Sequence, residues 1–272
     1  MKIAIQGIAG AFHEEAARLR FGDQPIEIVP CLTFRELAAA VASGLADKGI
    51  MAIENTLAGT IQPNLDLIRE HQLWISGEVI MRIRQHLGGV PGSSLQSIRK
   101  VYSHYMALNQ CRPFFDAYPA VELIESEDTA LSIRNVAEAG STKLAAIGSS
   151  LAISQYGLVV LGEGIETSKQ NYTRFLLLDR QPQQVISCNK ATLSLVLQPH
   201  PEAFTQAMAL LQERGIQVSK IESLAIPGRP WHYRYYLDLR FEAEEQLDEL
   251  LLSLYTLTES VDLLGKYTAH TH

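Results

Sequence analysis

Short apolar runs alternate with helically spaced segments through the first two-thirds of the chain, and this alternation constrains the fold more than any other feature. Lys2–Gln6 reads as a buried strand ending at Gly7, followed by a glycine-containing loop and a helix around His13–Phe21. Ile26–Pro30 reads as a second strand. Thr33 and Glu36 then fit a capping box, in which both side chains satisfy the first free N–H groups of a helix running to about Gly44. Ile50–Glu54 reads as a third strand, with a loop and helix after it. The repeat predicts an α/β fold with a mainly parallel sheet and helices on both faces.

Near Trp74 the pattern changes. Trp74–Leu87 is a long β-like stretch that suits a crossing between two lobes. The alternation then restarts: strands at Lys100–Ser103, Val121–Glu125, Lys143–Gly148, Leu158–Gly162 and Phe175–Leu178, and helices at Ala107–Tyr118, Thr129–Ala139 and Ser150–Tyr156. Two lobes joined in this way leave a cleft, and strand ends and helix N-termini facing a cleft make an anion site. Gln181–Asn189 is polar and reads as a linker. Beyond it come a strand (Ala191–Leu197), a helix (Pro201–Arg214), strands at Val218–Ser223 and Trp231–Phe241, a helix (Glu244–Thr256) and a strand (Val261–Tyr267). This βαββαβ order is the ferredoxin-like arrangement, suited to ligand binding and dimerisation.

Composition excludes several classes. Hydrophobic residues at 47% and charged residues at 19% are ordinary for a globular chain. A net charge of −7 with scattered lysine and arginine argues against a nucleic-acid surface, which needs clustered cations. An anionic small molecule stays compatible, because backbone N–H groups and one or two arginines suffice to hold it. Cys31, Cys111 and Cys188 are far apart and form no CxxC or Cys/His cluster, so neither a disulfide framework nor a metal site is expected. The opening MKIAIQG is a strand pattern and not a signal peptide, and no apolar run reaches the ~20 residues that span a bilayer. A soluble, cytoplasmic protein without membrane partners is expected.

Four polar segments lie at predicted strand ends. Gly7–Phe12 brings backbone N–H groups close together, although such a loop is more often a plain strand-to-helix turn. In IENTLAGT, Asn55 and Thr56 follow a strand directly; they read equally as helix caps or as carboxylate-holding groups, and Thr60 as a cap for a helix beginning near Gln62. In Tyr102-Ser103-His104, Ser103 reads as a cap and His104 as a surface histidine. Asn171-Tyr172-Thr173-Arg174-Phe175 places an amide, a hydroxyl and a guanidinium at a strand entrance, where Arg174 suits a bidentate carboxylate clamp or a surface ion pair.

Taken together and in order, GIAGAF, AIENTLAGT, HLGGV, VYSHYMALNQC, EDTALS, AAIGSSLAISQYGL and NYTRF resemble the prephenate dehydratase family, over essentially the whole chain. KIES and IPGRPWHYRYYLDL resemble the ACT regulatory domain that follows it. The resemblance implies a two-lobed domain, similar to periplasmic binding proteins, at residues 1–181, with lobes of about 1–76 plus 160–181 and 77–159, and an ACT domain at 190–272. It implies decarboxylative dehydration of prephenate to phenylpyruvate, a carbon–oxygen lyase reaction toward phenylalanine, without metal or organic cofactor. It maps the catalytic threonine onto Thr173 and substrate contacts onto Asn55, Thr56, Ser103, Asn171, Arg174 and Phe175. Effector contacts map onto Ala203, Phe204, Glu222 and Ser223, for L-phenylalanine or another amino acid near the interface of a homodimer or homotetramer.

The chain also departs from the family pattern. The usual Gly-Thr of the first loop reads Gly10-Ala11, and the serine position after it is His13. The effector motifs read Glu202-Ala203-Phe204 and Glu222-Ser223-Leu224-Ala225, so a glycine and an arginine are missing. Arogenate dehydratase, which meets an amino group where prephenate has a keto group, and a catalytically silent amino-acid sensor are the alternatives. No chorismate mutase domain is expected, because the chain opens directly on the first strand.

Overall fold

The computed structural model describes residues 1–61, 63–183 and 187–270. The chain forms two compact units, one of Met1–Asn64 with Val79–Phe175, the other of Leu65–Glu78 with Leu176–His272. Within the expected linker, residues 184–186 lie outside the described residues. So does Gln62, and the helix expected there is described from Asn64.

In the first unit, β1 (Lys2–Gln6) runs parallel to β2 (Glu27–Cys31) on one side and to β3 (Lys48–Asn55) on the other. Tyr172–Phe175 of β11 (Tyr172–Asp179) and Val79–Arg82 of β5 (Trp74–Arg82) continue the sheet within this unit, and the two-residue β4 (Gly59–Thr60) pairs with β3. Ile3, Ile5, Ile50, Met51 and Ile53 are buried beneath α1 (Phe12–Phe21) and α2 (Phe34–Ser43). At the α2 entrance Thr33 accepts the Glu36 N–H at 3.1 Å as expected, whereas the Glu36 carboxylate reaches past the cap residue and accepts the Leu32 N–H at 2.8 Å.

The other lobe is a mixed sheet, β10–β6–β9–β7–β8, formed by Val159–Gly162, His86–Gly89, Leu144–Gly148, Lys100–Ser103 and Glu122–Glu125. The β7 ladders are parallel, whereas β6 runs antiparallel to both of its neighbours, so this sheet is less uniformly parallel than expected. Its helices are α4 (Tyr105–Cys111), α5 (Thr129–Ala139) and α6 (Ser150–Gln155). Two expectations are corrected here. The helix expected over Ala107–Tyr118 stops at Cys111 and tightens into a 3₁₀ segment, Arg112–Ala117, because Pro113 has no N–H for an α-helical bond. The long strand Trp74–Leu87 is interrupted after Arg82. There the Ile83 N–H turns to the Asn171 carbonyl (2.7 Å) and the Gln85 N–H to the Glu166 carboxylate (2.9 Å).

The C-terminal elements follow the expected βαββαβ order: β12 (Lys190–Leu197), α7 (Ala203–Glu213), β13 (Gln217–Ala225), β14 (Tyr233–Arg240), α8 (Glu244–Leu254) and β15 (Thr258–Tyr267). The antiparallel sheet order β13–β14–β12–β15 is ferredoxin-like. One face, with Leu193, Leu195, Leu237 and Leu239, packs on the helices. The other face is polar yet also buried. Thr192 Oγ1 donates to Asp238 (2.6 Å), Lys190 pairs with Glu78 (2.8 Å), and Tyr236 bonds Asp66. Glu78 and Asp66 belong to β5 and α3 (Asn64–Glu70), so Leu65–Glu78 packs with this unit. The approach is close at Gly265, where an added Cβ would meet the Ile75 carbonyl oxygen at 2.1 Å. Trp231, expected at the start of β14, lies instead in the preceding turn, with positive φ and 88% exposure.

Gly10 joins the two lobes of the first unit. Its N–H donates to Glu14 (2.7 Å), its carbonyl accepts the Ser149 hydroxyl (2.6 Å), and its φ is +86°. A Cβ there would meet Ala152 Cα at 2.6 Å. Gly10→Ala combines left-handed strain with overpacking and should destabilise by about 3 kcal/mol, read as a lower urea midpoint.

Candidate active site

Asn55 ends β3 beside the start of β11, and its carboxamide bonds in two directions. Nδ2 donates to Asn171 Oδ1 (2.7 Å), Thr173 Oγ1 (2.9 Å) and the Tyr172 carbonyl (3.2 Å). Oδ1 accepts the Leu57 and Ala58 N–H groups at 2.9 and 3.0 Å. Backbone N–H groups only donate, so the orientation of the amide is fixed. Thr173 therefore acts as acceptor toward Asn55 and keeps its own O–H for another partner. Asn171 is tied further by donating to Gln110 Oε1 (3.0 Å).

These groups open on a cavity of about 590 Å³. Successive residues of a strand point to opposite faces, and Asn171, Thr173 and Phe175 line the cavity while Tyr172 and Arg174 do not. Arg174 is buried and pairs with Glu54 at 3.4 Å, so the guanidinium expected to clamp a carboxylate is engaged elsewhere. Two other expected substrate contacts also lie off the lining. Thr56 donates to the Gln170 carbonyl (2.8 Å) and accepts the Tyr172 N–H (3.0 Å), which fastens the loop to β11. Ser103 is fully buried and donates to the Ile147 carbonyl (2.8 Å); the cap of α4 is His104 and not Ser103.

Among the described residues that line the cavity there is no lysine or arginine, and Glu127 and Asp128 bring carboxylates to its wall. Helix starts bring partial positive charge to the wall, with Phe12 of α1, Phe34 of α2, Met106 of α4 and Thr129 of α5 in the first turns that line it, although Thr33, His104 and Asp128 already accept one N–H each at α2, α4 and α5. At α1 the cap position is Ala11, which offers no side-chain acceptor to the first N–H groups. The glycine loop before it is less available than its sequence implies, because Gly10 N–H is taken by Glu14 and Tyr156 bonds the Ala9 carbonyl. Among the described residues no group of three or more His, Cys, Asp or Glu is placed to hold a metal ion.

Several lining residues were not singled out as site residues by sequence reasoning: Gln6, His13, Gln85, His104 and Gln110. Gln110 had a faint signal, since it lies four residues past Met106 on the same face of α4. His13 had another, as the departure after the first loop. Its ring meets Phe175 edge-on at 5.1 Å, and Nε2 accepts the Ala52 N–H at 3.3 Å. Burial lowers its pKa from 6.5 to about 3, so the imidazole is neutral.

The expected effector residues divide. Phe204, at the start of α7 after buried Ala203, packs on Tyr235 with ring centroids 5.5 Å apart, and Tyr235 is the register partner of Ser223. Glu222 takes the alternate face of β13 and pairs with Lys220 at 3.7 Å. Among the described residues no helix is long and apolar enough to cross a membrane.

The state of His13 has a measurable consequence. Between pH 6.5 and about 3 the unfolded chain carries a proton on this histidine that the folded chain does not. Stability is therefore lost as pH falls through that window, by up to about 1.4 kcal/mol per pH unit. Urea unfolding of wild type and His13→Gln between pH 7 and 4 should show a shallower acid limb in the variant.

A family model described as prephenate dehydratase matches residues 3–183. The bifunctional chorismate mutase/prephenate dehydratase of Aquifex aeolicus is 31% identical over 98% of this chain and 73% of its own length. Arogenate dehydratase/prephenate dehydratase 1 of Arabidopsis thaliana is 33% identical over 98% and 72%. Among solved structures, GqqA, described as a novel type of quorum quenching acylase, is 30% identical with a TM-score of 0.91, covering 99% of this chain and 98% of its own. Prephenate dehydratase from Arthrobacter aurescens, in complex with L-Phe, is 28% identical with a TM-score of 0.88, covering 98% and 90%. With its two-lobed fold and a family match over most of its length, the chain belongs to the prephenate dehydratase family.

Proposed function

We propose that this protein is a carbon–oxygen lyase that converts prephenate to phenylpyruvate, with residues 1–181 as its catalytic domain. The observation that carries the reading is the Thr173 hydroxyl: its oxygen is engaged by Asn55, and it stands on the lining of a cavity entered by several helix starts. The reaction needs little more than orientation and help for the leaving group. The bond to the ring carboxylate breaks and carbon dioxide leaves. Its electron pair moves into the ring as the C–O bond to the hydroxyl breaks, and the departing oxygen leaves as water after gaining a proton. Thr173 donates to that oxygen, and solvent restores its proton. Helix N-termini and the amides of Asn171 and Gln110 hold the carboxylates, Phe175 packs against the ring, and Arg174 acts indirectly by holding Glu54 beside Asn55.

Residues 190–272 are read as an ACT regulatory domain in a cytoplasmic homodimer or homotetramer. Phe204, Ser223 and neighbouring residues then hold an amino-acid effector, and the L-Phe of the Arthrobacter relative makes L-phenylalanine the first to test. The kinship with GqqA raises acyl transfer as a second reading. That chemistry needs a base beside the nucleophile, and the carboxamide that donates to Thr173 is not one.

Phenylpyruvate formation from prephenate decides between them. Thr173→Ser should retain much of the wild-type rate, and Thr173→Val should lose roughly 10²–10³-fold in kcat, the usual effect of removing one donor at a developing negative charge. Equal rates in the two variants would exclude a role for the hydroxyl. L-phenylalanine should lower the wild-type rate; a rate independent of it would remove that effector.

A further inference from the structure

Gln85 lies on the cavity wall in the segment that leaves β5, and its backbone is bonded through both its N–H and its carbonyl. Its N–H donates to the buried Glu166 carboxylate (2.9 Å) and its carbonyl accepts the Ile165 N–H (2.8 Å). Its side chain is only 4% exposed and lines the cavity, yet Oε1 has no hydrogen-bond partner among the described residues. A buried carbonyl oxygen without a donor opposes folding. Such a group fits a position whose partner arrives with the ligand.

Its place along the wall indicates which part of a ligand it meets. The Ile83 N–H bonds the Asn171 carbonyl. β5 enters this unit at Val79 and β11 leaves it after Phe175, so these neighbouring strands run in opposite senses. Thr173 lies two residues beyond Asn171 in one direction and Gln85 two residues beyond Ile83 in the other, each step about 7 Å for an extended chain. Side chains alternate here as well: Ile83 and Gln85 line the cavity, while Arg82 and Arg84 line a separate recess. A ligand that presents its ring hydroxyl to Thr173 therefore presents its three-carbon side chain toward Gln85.

We propose that Gln85 reads the substituent on that side chain, a 2-oxo group or a 2-ammonio group. The inference rests on the dehydratase reading above. A keto oxygen only accepts and an ammonium only donates, and a carboxamide serves either by turning about its last bond. Glutamine at this position makes the enzyme permissive for both prephenate and arogenate. A carboxylate there would accept from the ammonium and repel the keto oxygen, and a thioether would bind neither.

The test is steady-state kinetics on both substrates, together with thermal melting, for wild type, Gln85→Glu and Gln85→Met. Wild type should turn over both. Gln85→Glu should raise the arogenate-to-prephenate ratio of kcat/KM at least tenfold. Gln85→Met should raise KM for both substrates at least tenfold with Tm unchanged or higher, because Oε1 has no partner to lose among the described residues. An unchanged ratio in active Gln85→Glu, or a lowered Tm with unchanged KM in Gln85→Met, overturns the inference and leaves the dehydratase reading standing. Wild-type protein inactive on both substrates overturns that reading and this inference with it.

Discussion

The docking of β11 against β3 is the constraint on which the cavity depends, and the Asn55 carboxamide fixes it. Because strand side chains alternate with a period of two, a one-residue slip of β11 would turn Thr173 and Asn171 away and bring Tyr172 and Arg174 into their places. Asn55 opposes such a slip from both ends of its amide. It holds Asn171, Tyr172 and Thr173 through Nδ2 and its own following turn through Oδ1. The Thr56 hydroxyl adds bonds to Gln170 and Tyr172. The same contacts direct the Thr173 proton away from Asn55, so fold register and the orientation of this hydroxyl share one cause.

Among its described lining residues the cavity has no cationic side chain, and Glu127 and Asp128 add negative charge, so a bound anion would rest on dipoles rather than on ion pairs. A guanidinium in the wall would bind a dianion strongly in the ground state as well as in the transition state, which lowers KM without raising kcat. Helix starts and amides give a more diffuse positive field that is already oriented. Neutral His13 fits the same scheme. Burial removes its charge, and its ring is held by Phe175 and by the Ala52 N–H. The nearest arginine in sequence to Thr173 is spent on Glu54.

The C-terminal sheet meets a different problem. One face packs against α7 and α8, and the part of the other face formed by Lys190, Thr192, Tyr236 and Asp238 is buried toward Leu65–Glu78, while β13 stays half-exposed. The second face is not apolar. It carries Lys190 against Glu78, Thr192 between Asp238 and Tyr267, and Tyr236 on Asp66. Buried ion pairs add little net stability but penalise any arrangement that leaves one member alone. A polar face of this kind specifies one docking of α3 and β5 where a greasy one would tolerate several.

Much of this was legible in the sequence. The β–α alternation, the βαββαβ order, the cap at Thr33 and the polar cluster Asn171–Phe175 all follow from local rules, because propensity, capping and period-two patterning act over a few residues. Proline at position 113 also announced the end of α4, although the helix expectation ran past it. What only the tertiary structure decided is which polar groups share a space. Asn55 lies 116 residues from Asn171, and Gln85 lies 81 from Glu166. No periodicity indicates that Arg174 turns to Glu54, that Ser103 is used up on Ile147, or that Gln85 is left with an oxygen unpaired among the described residues on the cavity wall. Local sequence sets the direction of each side chain along its own element; the partner each one meets is set by the packing of elements distant in the chain, where burial makes every unmet hydrogen bond costly.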